Sequence, residues 1–166
     1  MSSESLYIQN LDTPIGSMQL SFNSELELLA AEFKESGEPG YNTSGHEFQE
    51  IKNTVKQLTE YFEGTRTQFN LKLSPVGTEF QKRVWKELQE ILFGKTTSYQ
   101  KMANQLGDPK VIRAAASANG KNPIAIIIPC HRVIGSDGSL TGYAGGLHRK
   151  KWLLDHENPV KQQSLF

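Results

Sequence analysis

The sequence predicts an α+β/α chain in two parts. The first is a small N-terminal sheet of three to four strands with one helix; the second is a C-terminal helical part with a winged helix-turn-helix-like element. Three observations carry this. Apolar runs broken by turn residues fill residues 6–33, amphipathic helical spacing begins at Thr78, and the charge reverses near Pro75. Residues 1–75 hold five basic and eleven acidic side chains, a balance of −6, and residues 76–166 hold thirteen and seven, a balance of +6. The domains are therefore expected at 1–75 and 76–166. A net charge of zero hides one half suited to face a polyanion, so it excludes a wholly basic coat protein and little else.

In the first part, LYIQNLDTPIGSMQLSFNSELELLAAEF reads as strands separated by turns at Thr13–Gly16 and Asn23–Ser24. Lys34 to Ser44, rich in Glu, Gly and Pro, reads as a loop. Phe48, Ile51, Val55, Leu58 and Tyr61/Phe62 recur at helical spacing, which predicts a helix over Glu47–Phe62 stopped by Gly64. FNLKLSP reads as a last strand before the linker.

In the second part, Thr78-Glu79-Phe80-Gln81 has the form of a capping box. It opens a helix with Phe80, Val84, Trp85, Leu88 and Ile91/Leu92 on one face, ending at Gly94. A short helix over Tyr99–Gln105 follows. Asp108-Pro109 then supplies an N-cap and a proline at the first helical position for a helix through Asn119. Two short helices around a glycine turn have the sequence form of a helix-turn-helix, although hairpins that only pack share it. The small residues of Arg113-Ala114-Ala115-Ala116-Ser117-Ala118 permit a close approach, to another helix or to a DNA groove.

The chain of 166 residues is long enough to bury a core, and no apolar run approaches the roughly 20 residues of a membrane span. Nor does the start of the chain carry a signal-peptide apolar core, so a soluble, cytoplasmic, reducing location is expected, nucleoid-associated or nuclear depending on the organism. Its one cysteine, Cys130, excludes an internal disulfide and a zinc site with two thiolates from one chain. No metal and no cofactor are expected, and the chain is expected to act as a monomer.

That cysteine stands where a buried strand-like segment, Ile124-Ala125-Ile126-Ile127-Ile128, runs into Pro129-Cys130-His131-Arg132. A lone apolar cysteine is usually inert packing. Histidine and arginine beside it change the expectation, because nearby cations raise the thiolate fraction. A nucleophile is the better reading.

IPCHRVI followed by LTGYAGGLHRKKWLL, with TEFQKRVW, the SYQ-to-NQLGDP stretch and RAAASANGKNP upstream, resembles the O6-alkylguanine-DNA alkyltransferases, also called methylated-DNA–protein-cysteine methyltransferases. The similarity runs from about Gly77 to Glu157, whereas the N-terminal half, ribonuclease H-like in this family, matches only in length and strand content. The resemblance implies direct, irreversible transfer of an alkyl group from O6-alkylguanine in double-stranded DNA to Cys130, one event per molecule. It implies that His131 activates the thiol through a water and that Glu157 orients the imidazole. Asn122 braces the turn before the nucleophile, and Tyr99 presses on the 3′ phosphate and protonates the departing guanine. Arg113 fills the gap left by a flipped base. Ala114, Ala115 and Ala118 allow their helix into the narrow minor groove, with Lys110, Lys121 and Arg132 at phosphates. Arg132 could equally form an ion pair supporting the pocket. Tyr143 forms a stacking wall, Gly145 and Gly146 allow close backbone approach, and backbone groups at Cys130, Val133 and Ala144 read the guanine edge.

Three departures from the family accompany these expectations. Ala144 stands where some members have serine. Asn119-Gly120 lacks the longer side chains of some relatives, and no N-terminal cysteine is present for the structural zinc of others. Competing readings are a lesion-binding relative that does not transfer, which lacks the nucleophile that Cys130 supplies here, and a cysteine hydrolase, for which no substrate cleft is legible. A plain helix-turn-helix regulator would need a more basic recognition helix.

Overall fold

In a computed structural model, residues 4–34 and 47–159 are described. The loop expected over Lys34–Ser44 lies, beyond Lys34, outside them. They form two compact units: residues up to Val76 together with Pro123–Ala125, and Gly77–Asn122 together with the residues from Ile126 onward. The separation thus falls close to Pro75, but a three-residue segment from the far half of the sequence belongs with the first unit.

The first unit is an antiparallel meander of β1 (Tyr7–Thr13), β2 (Gly16–Phe22) and β3 (Leu28–Phe33), followed by helix α1 (Gln49–Glu63). The Thr13 hydroxyl donates to the carbonyl of Gly16 at 2.6 Å, closing the two-residue turn. Asn23 organises the next turn, its Oδ1 accepting from the amides of Glu25 and Glu27 at 3.0 and 2.9 Å. Met18, Leu20, Phe22, Leu28, Ala31, Ile51, Leu58 and Tyr61 form the buried core. Gly64, at φ +85°, ends α1 with its amide on Tyr61, a conformation that other residues adopt at a cost.

Two strand expectations are corrected here. Instead of a fourth strand, Leu73 makes one parallel bridge to Leu28, and Gln57 holds the preceding chain by both atoms of its amide on the backbone of Asn70. Such side-chain bonds satisfy the backbone without a ladder. Nor is 124–128 a strand: Ile124 bridges once to Ala31, and the chain then turns at Ile126, whose φ is +71°. The segment is apolar because it is buried, and burial does not require extension.

The second unit contains α2 (Glu79–Leu88), a two-residue strand β4 (Thr97–Ser98), α3 (Tyr99–Gln105), a 3-10 turn at Pro109–Val111, α4 (Ile112–Gly120), a 3-10 turn at Cys130–Arg132, β5 (Val133–Ile134) parallel to β4, and α5 (Leu147–Glu157). Both halves of the capping box form, Thr78 Oγ1 accepting from the amide of Gln81 at 3.1 Å and Gln81 Oε1 from that of Thr78 at 2.9 Å. This helix stops at Leu88, short of Gly94; Leu92, placed on the inner face by periodicity, is exposed, because the chain has already left helical spacing. Asp108 caps the 3-10 turn that leads into α4.

Candidate active site

The site grows from the turn after Pro129. There the backbone folds into one 3-10 turn, so Cys130, His131 and Arg132 fan out from consecutive positions, all buried. Asn122 closes this region from upstream: its Nδ2 donates to the carbonyl of Ile128 at 2.7 Å, two residues before the Cys130 thiol. Burial pushes that thiol above its ordinary value, while Asn122 and the positive charge of Lys150 pull it down.

His131 is fully buried, with Nε2 2.7 Å from Oε2 of Glu157, the last residue of α5. Burial opposes the Glu157 charge, but the bonds and charges of His131 and Arg132 prevail and hold its carboxyl at about 2. An ionised carboxylate accepts and cannot donate, so Nε2 carries the imidazole proton and Nδ1 keeps its lone pair. That Nδ1 is buried and has no hydrogen-bond partner among the described residues. Burial also lowers the imidazole's own pKa, against the pull of Glu157. The result is a neutral base with an available nitrogen beside the thiol's turn.

Arg132 is corrected as a phosphate ligand. Its Nε and Nη2 donate to the two oxygens of Glu157 at 2.8 and 3.1 Å, and its Nη1 donates to the carbonyl of Ile91 at 2.6 Å. It is only 6% exposed, and the Phe93 ring lies 5.8 Å from its guanidinium carbon. The ion-pair alternative is the one realised.

On α4, Arg113 and Ala114 are exposed, as are Lys110 before it and Lys121 after it. Ala115 and Ala118 are corrected as DNA contacts: both are buried, and the carbonyl of Ala118 accepts from the Trp85 indole on α2 at 2.8 Å. The small residues on this side admit another helix, and only the opposite side is open to a large partner. Tyr99 opens α3 half-buried, its hydroxyl accepting from Thr141 Oγ1 at 3.2 Å and donating to the Thr141 carbonyl at 3.4 Å. Tyr143 lies in the loop between β5 and α5, with its hydroxyl buried and without a partner among the described residues. Burial lifts its pKa well above the ordinary phenol value. Ala144 is exposed, and Gly145 accepts through its carbonyl from Arg149 at 2.9 Å. Gly146, at φ +94°, starts α5. The Val133 carbonyl accepts from Lys150 Nζ at 2.8 Å.

Two residues escaped the sequence reading. Asn119 is buried and bonds the Cys130 carbonyl at 3.5 Å, and Lys150 is fully buried. Lys150 had a signal: it stands three residues before Leu153 and seven before Glu157, on one helical face. Among the described residues no cluster of His, Cys, Asp and Glu could hold a metal, and no helix is long and apolar enough to cross a membrane.

Comparison with known proteins bears directly on this geometry. Residues 79–159 match the family model "6-O-methylguanine DNA methyltransferase, DNA binding domain", and residues 6–75 match its "ribonuclease-like domain". A methylated-DNA–protein-cysteine methyltransferase of Methanosarcina barkeri is 45% identical over 156 residues, covering 92% of this chain and 97% of that one. The chain belongs to the 6-O-methylguanine DNA methyltransferase family. A Mycobacterium tuberculosis relative with the same name is 42% identical over 152 residues, 92% of each chain. The structure of Mycobacterium tuberculosis OGT in complex with DNA superposes with a TM-score of 0.81 at 39% identity, covering 96% of this chain and 99% of that one. An O6-methylguanine DNA methyltransferase from Methanococcus jannaschii gives 0.66 at 28% identity, covering 93% of each chain. With these relatives, the small N-terminal sheet and the C-terminal helical part take their place as the family's two domains.

Proposed function

We propose that this protein repairs DNA by taking the alkyl group of O6-alkylguanine onto Cys130, once per molecule. The observation that carries the reading is the buried thiol on the same turn as a neutral histidine whose Nδ1 is unpartnered and whose Nε2 is held by an ionised glutamate. The family supports the substrate.

In this mechanism the Cys130 proton passes through a water to His131 Nδ1, and Glu157 stabilises the imidazolium that forms. Sulfur then bonds the alkyl carbon as the carbon–O6 bond breaks, and the departing guanine takes a proton from the Tyr99 hydroxyl. The thioether that results resists hydrolysis, so the protein is consumed. Because the reacting carbon lies inside a duplex, the base must leave the stack. Arg113 on the exposed side of α4 fills the gap, Tyr143 stacks on the flipped base, and Ala114, Lys110 and Lys121 meet the duplex. Phosphate contacts of this kind are salt-sensitive and largely independent of sequence. The protein acts as a monomer in the cytoplasm.

Intact-mass spectrometry after incubation with an O6-methylguanine duplex tests this. One added methyl, mapped to Cys130 and absent in Cys130→Ala, is expected; a wild-type chain of unchanged mass would overturn the reading. In the same assay Arg113→Ala is expected to slow transfer from duplex DNA by tenfold or more, on the order expected for loss of a base-flipping contact, and to leave reaction with free O6-benzylguanine intact. Equal losses on both substrates would remove the flipping role.

A further inference from the structure

Thr141 is an exposed residue of the loop between β5 and α5, and the mechanism assigns it no task. Its hydroxyl nevertheless has one specific partner. Thr141 Oγ1 donates to the Tyr99 hydroxyl oxygen at 3.2 Å, and the Tyr99 hydroxyl donates back to the Thr141 carbonyl at 3.4 Å. Among the described residues, both hydrogen bonds of that phenol go to Thr141. Both are longer than the roughly 2.7–2.8 Å usual for O–H···O, and the phenol's own proton is the more loosely held. It shares its acceptor with Lys150 Nζ, which lies 2.6 Å from the same carbonyl. The backbone on each side of the pair is fixed. Tyr99 follows directly on β4, whose Thr97 and Ser98 pair with Val133 and Ile134, next in the chain after the Cys130–Arg132 turn. Ser98 then caps α3 by accepting from the Lys101 amide at 3.1 Å. On the other side, the fully buried Lys150 holds Thr141 by its carbonyl.

We propose that Thr141 is a positioning residue for proton donation by Tyr99. Its hydroxyl orients the phenol and stabilises the negative charge that the phenol oxygen gains as the alkyl group leaves guanine. This rests on the repair reading, in which Tyr99 protonates the departing base. When the bond between the alkyl carbon and O6 breaks, its electron pair stays with guanine, and the Tyr99 proton passes to the base. The Tyr99 oxygen keeps the electron pair of its O–H bond. Its charge is balanced by the imidazolium that holds the Cys130 proton at His131. Thr141 gives up no proton. A hydroxyl has one hydrogen to donate, and at Thr141 that hydrogen is directed at the oxygen where charge will develop. A donor in place beforehand favours the charged form and needs no reorganisation at the moment of transfer. The looser hold on the phenol's own proton leaves that proton free to turn to the base.

The test compares two reagents on the full chain. Transfer from free O6-benzylguanine needs an acid for its leaving group. Iodoacetamide does not, because iodide departs without a proton, and it reads Cys130 alone because the chain has no other cysteine. Thr141→Val removes the hydroxyl at nearly constant shape, Thr141→Ser keeps it, and Tyr99→Phe removes the acid. Thr141→Val is expected to slow O6-benzylguanine transfer by about tenfold and to leave iodoacetamide alkylation within about twofold of wild type. Thr141→Ser is expected to stay within about threefold of wild type with both. In the Tyr99→Phe background, Thr141→Val is expected to cause no further loss, because a residue that acts through the Tyr99 hydroxyl has nothing left to act on. A valine variant as fast as wild type with O6-benzylguanine overturns the proposal. So does one that slows both reagents alike, or that keeps its tenfold loss without the Tyr99 hydroxyl. The repair reading fails differently. A wild-type chain that reacts with iodoacetamide, yet takes no alkyl group from O6-benzylguanine or from an O6-methylguanine duplex, would sink that reading and this proposal with it.

Discussion

Among the described residues, the buried polar side chains of the first unit are Ser21, Asn23, Thr54 and Gln57; those of the second are Asn119, His131, Arg132, Lys150 and Glu157. The first set is neutral and mostly answers local backbone groups. Asn23 shapes a turn, Thr54 bonds the Glu50 carbonyl one helical turn back, and Gln57 pins Asn70. The second set is almost entirely ionisable and converges on the neighbourhood of one thiol. Neutral buried groups of the first kind are inexpensive once bonded, whereas buried charges persist only with partners and weaken a fold when one is removed. The contrast separates residues kept for architecture from residues kept for chemistry.

The strongest way to break that contrast is Glu157→Gln. It leaves the Arg132 guanidinium buried against a neutral amide, and His131 without its anion. Stability is expected to fall by about 3–5 kcal/mol in urea denaturation. Transfer, measured on the folded fraction, is expected to fall by about a hundredfold or more. A variant as stable and as fast as wild type would show that the cluster is decoration.

Acid sharpens the comparison next. Burial depresses the His131 pKa, so the folded state takes up this proton less readily than the unfolded chain, and stability falls as pH drops below about 6.5. The Glu157 carboxyl, at about 2 against an ordinary 4.5, contributes on the order of 3 kcal/mol above pH 4.5, lost as pH falls toward 2. Urea midpoints are therefore expected to decline from pH 7 to 5 and further to pH 3. His131→Asn should flatten the first part of that decline. A wild-type stability independent of pH from 7 to 3 would contradict both assignments.

The smallest expected effect lies in the other unit. Asn23→Ala leaves the Glu25 and Glu27 amides without their acceptor and should cost about 1–3 kcal/mol. The transfer rate of the folded protein is expected to stay within about twofold of wild type. A tenfold loss of rate would mean that the first unit's buried polar groups serve the chemistry as well.

Much of the fold was legible because its signals are local. The Thr13–Gly16 turn, the Thr78–Gln81 box, the Asp108-Pro109 start and the spacing of Ile51, Leu58 and Tyr61 each act within a few residues, and each predicted element formed near its expected place. Periodicity failed at Leu92 and over 124–128, where apolar residues mark burial in irregular chain. At the site, the proximity of cysteine, histidine and arginine in Pro-Cys-His-Arg pointed to a nucleophile. Family resemblance then supplied Glu157, which by itself reads as a surface acid.

By itself, then, the sequence determined which residue can attack and which segments coil, because those follow from side-chain chemistry and short-range spacing. Only the tertiary structure decided where the charges went. It turned Arg132 from phosphates to Glu157 and Ile91, turned Ala115 and Ala118 inward, and drew Lys150 from a basic run into three carbonyls. A charged side chain looks the same in sequence whether solvent or a buried partner satisfies it. The partners here lie 25 residues or more away for Arg132, and for Lys150 they are backbone carbonyls, which have no signature in sequence.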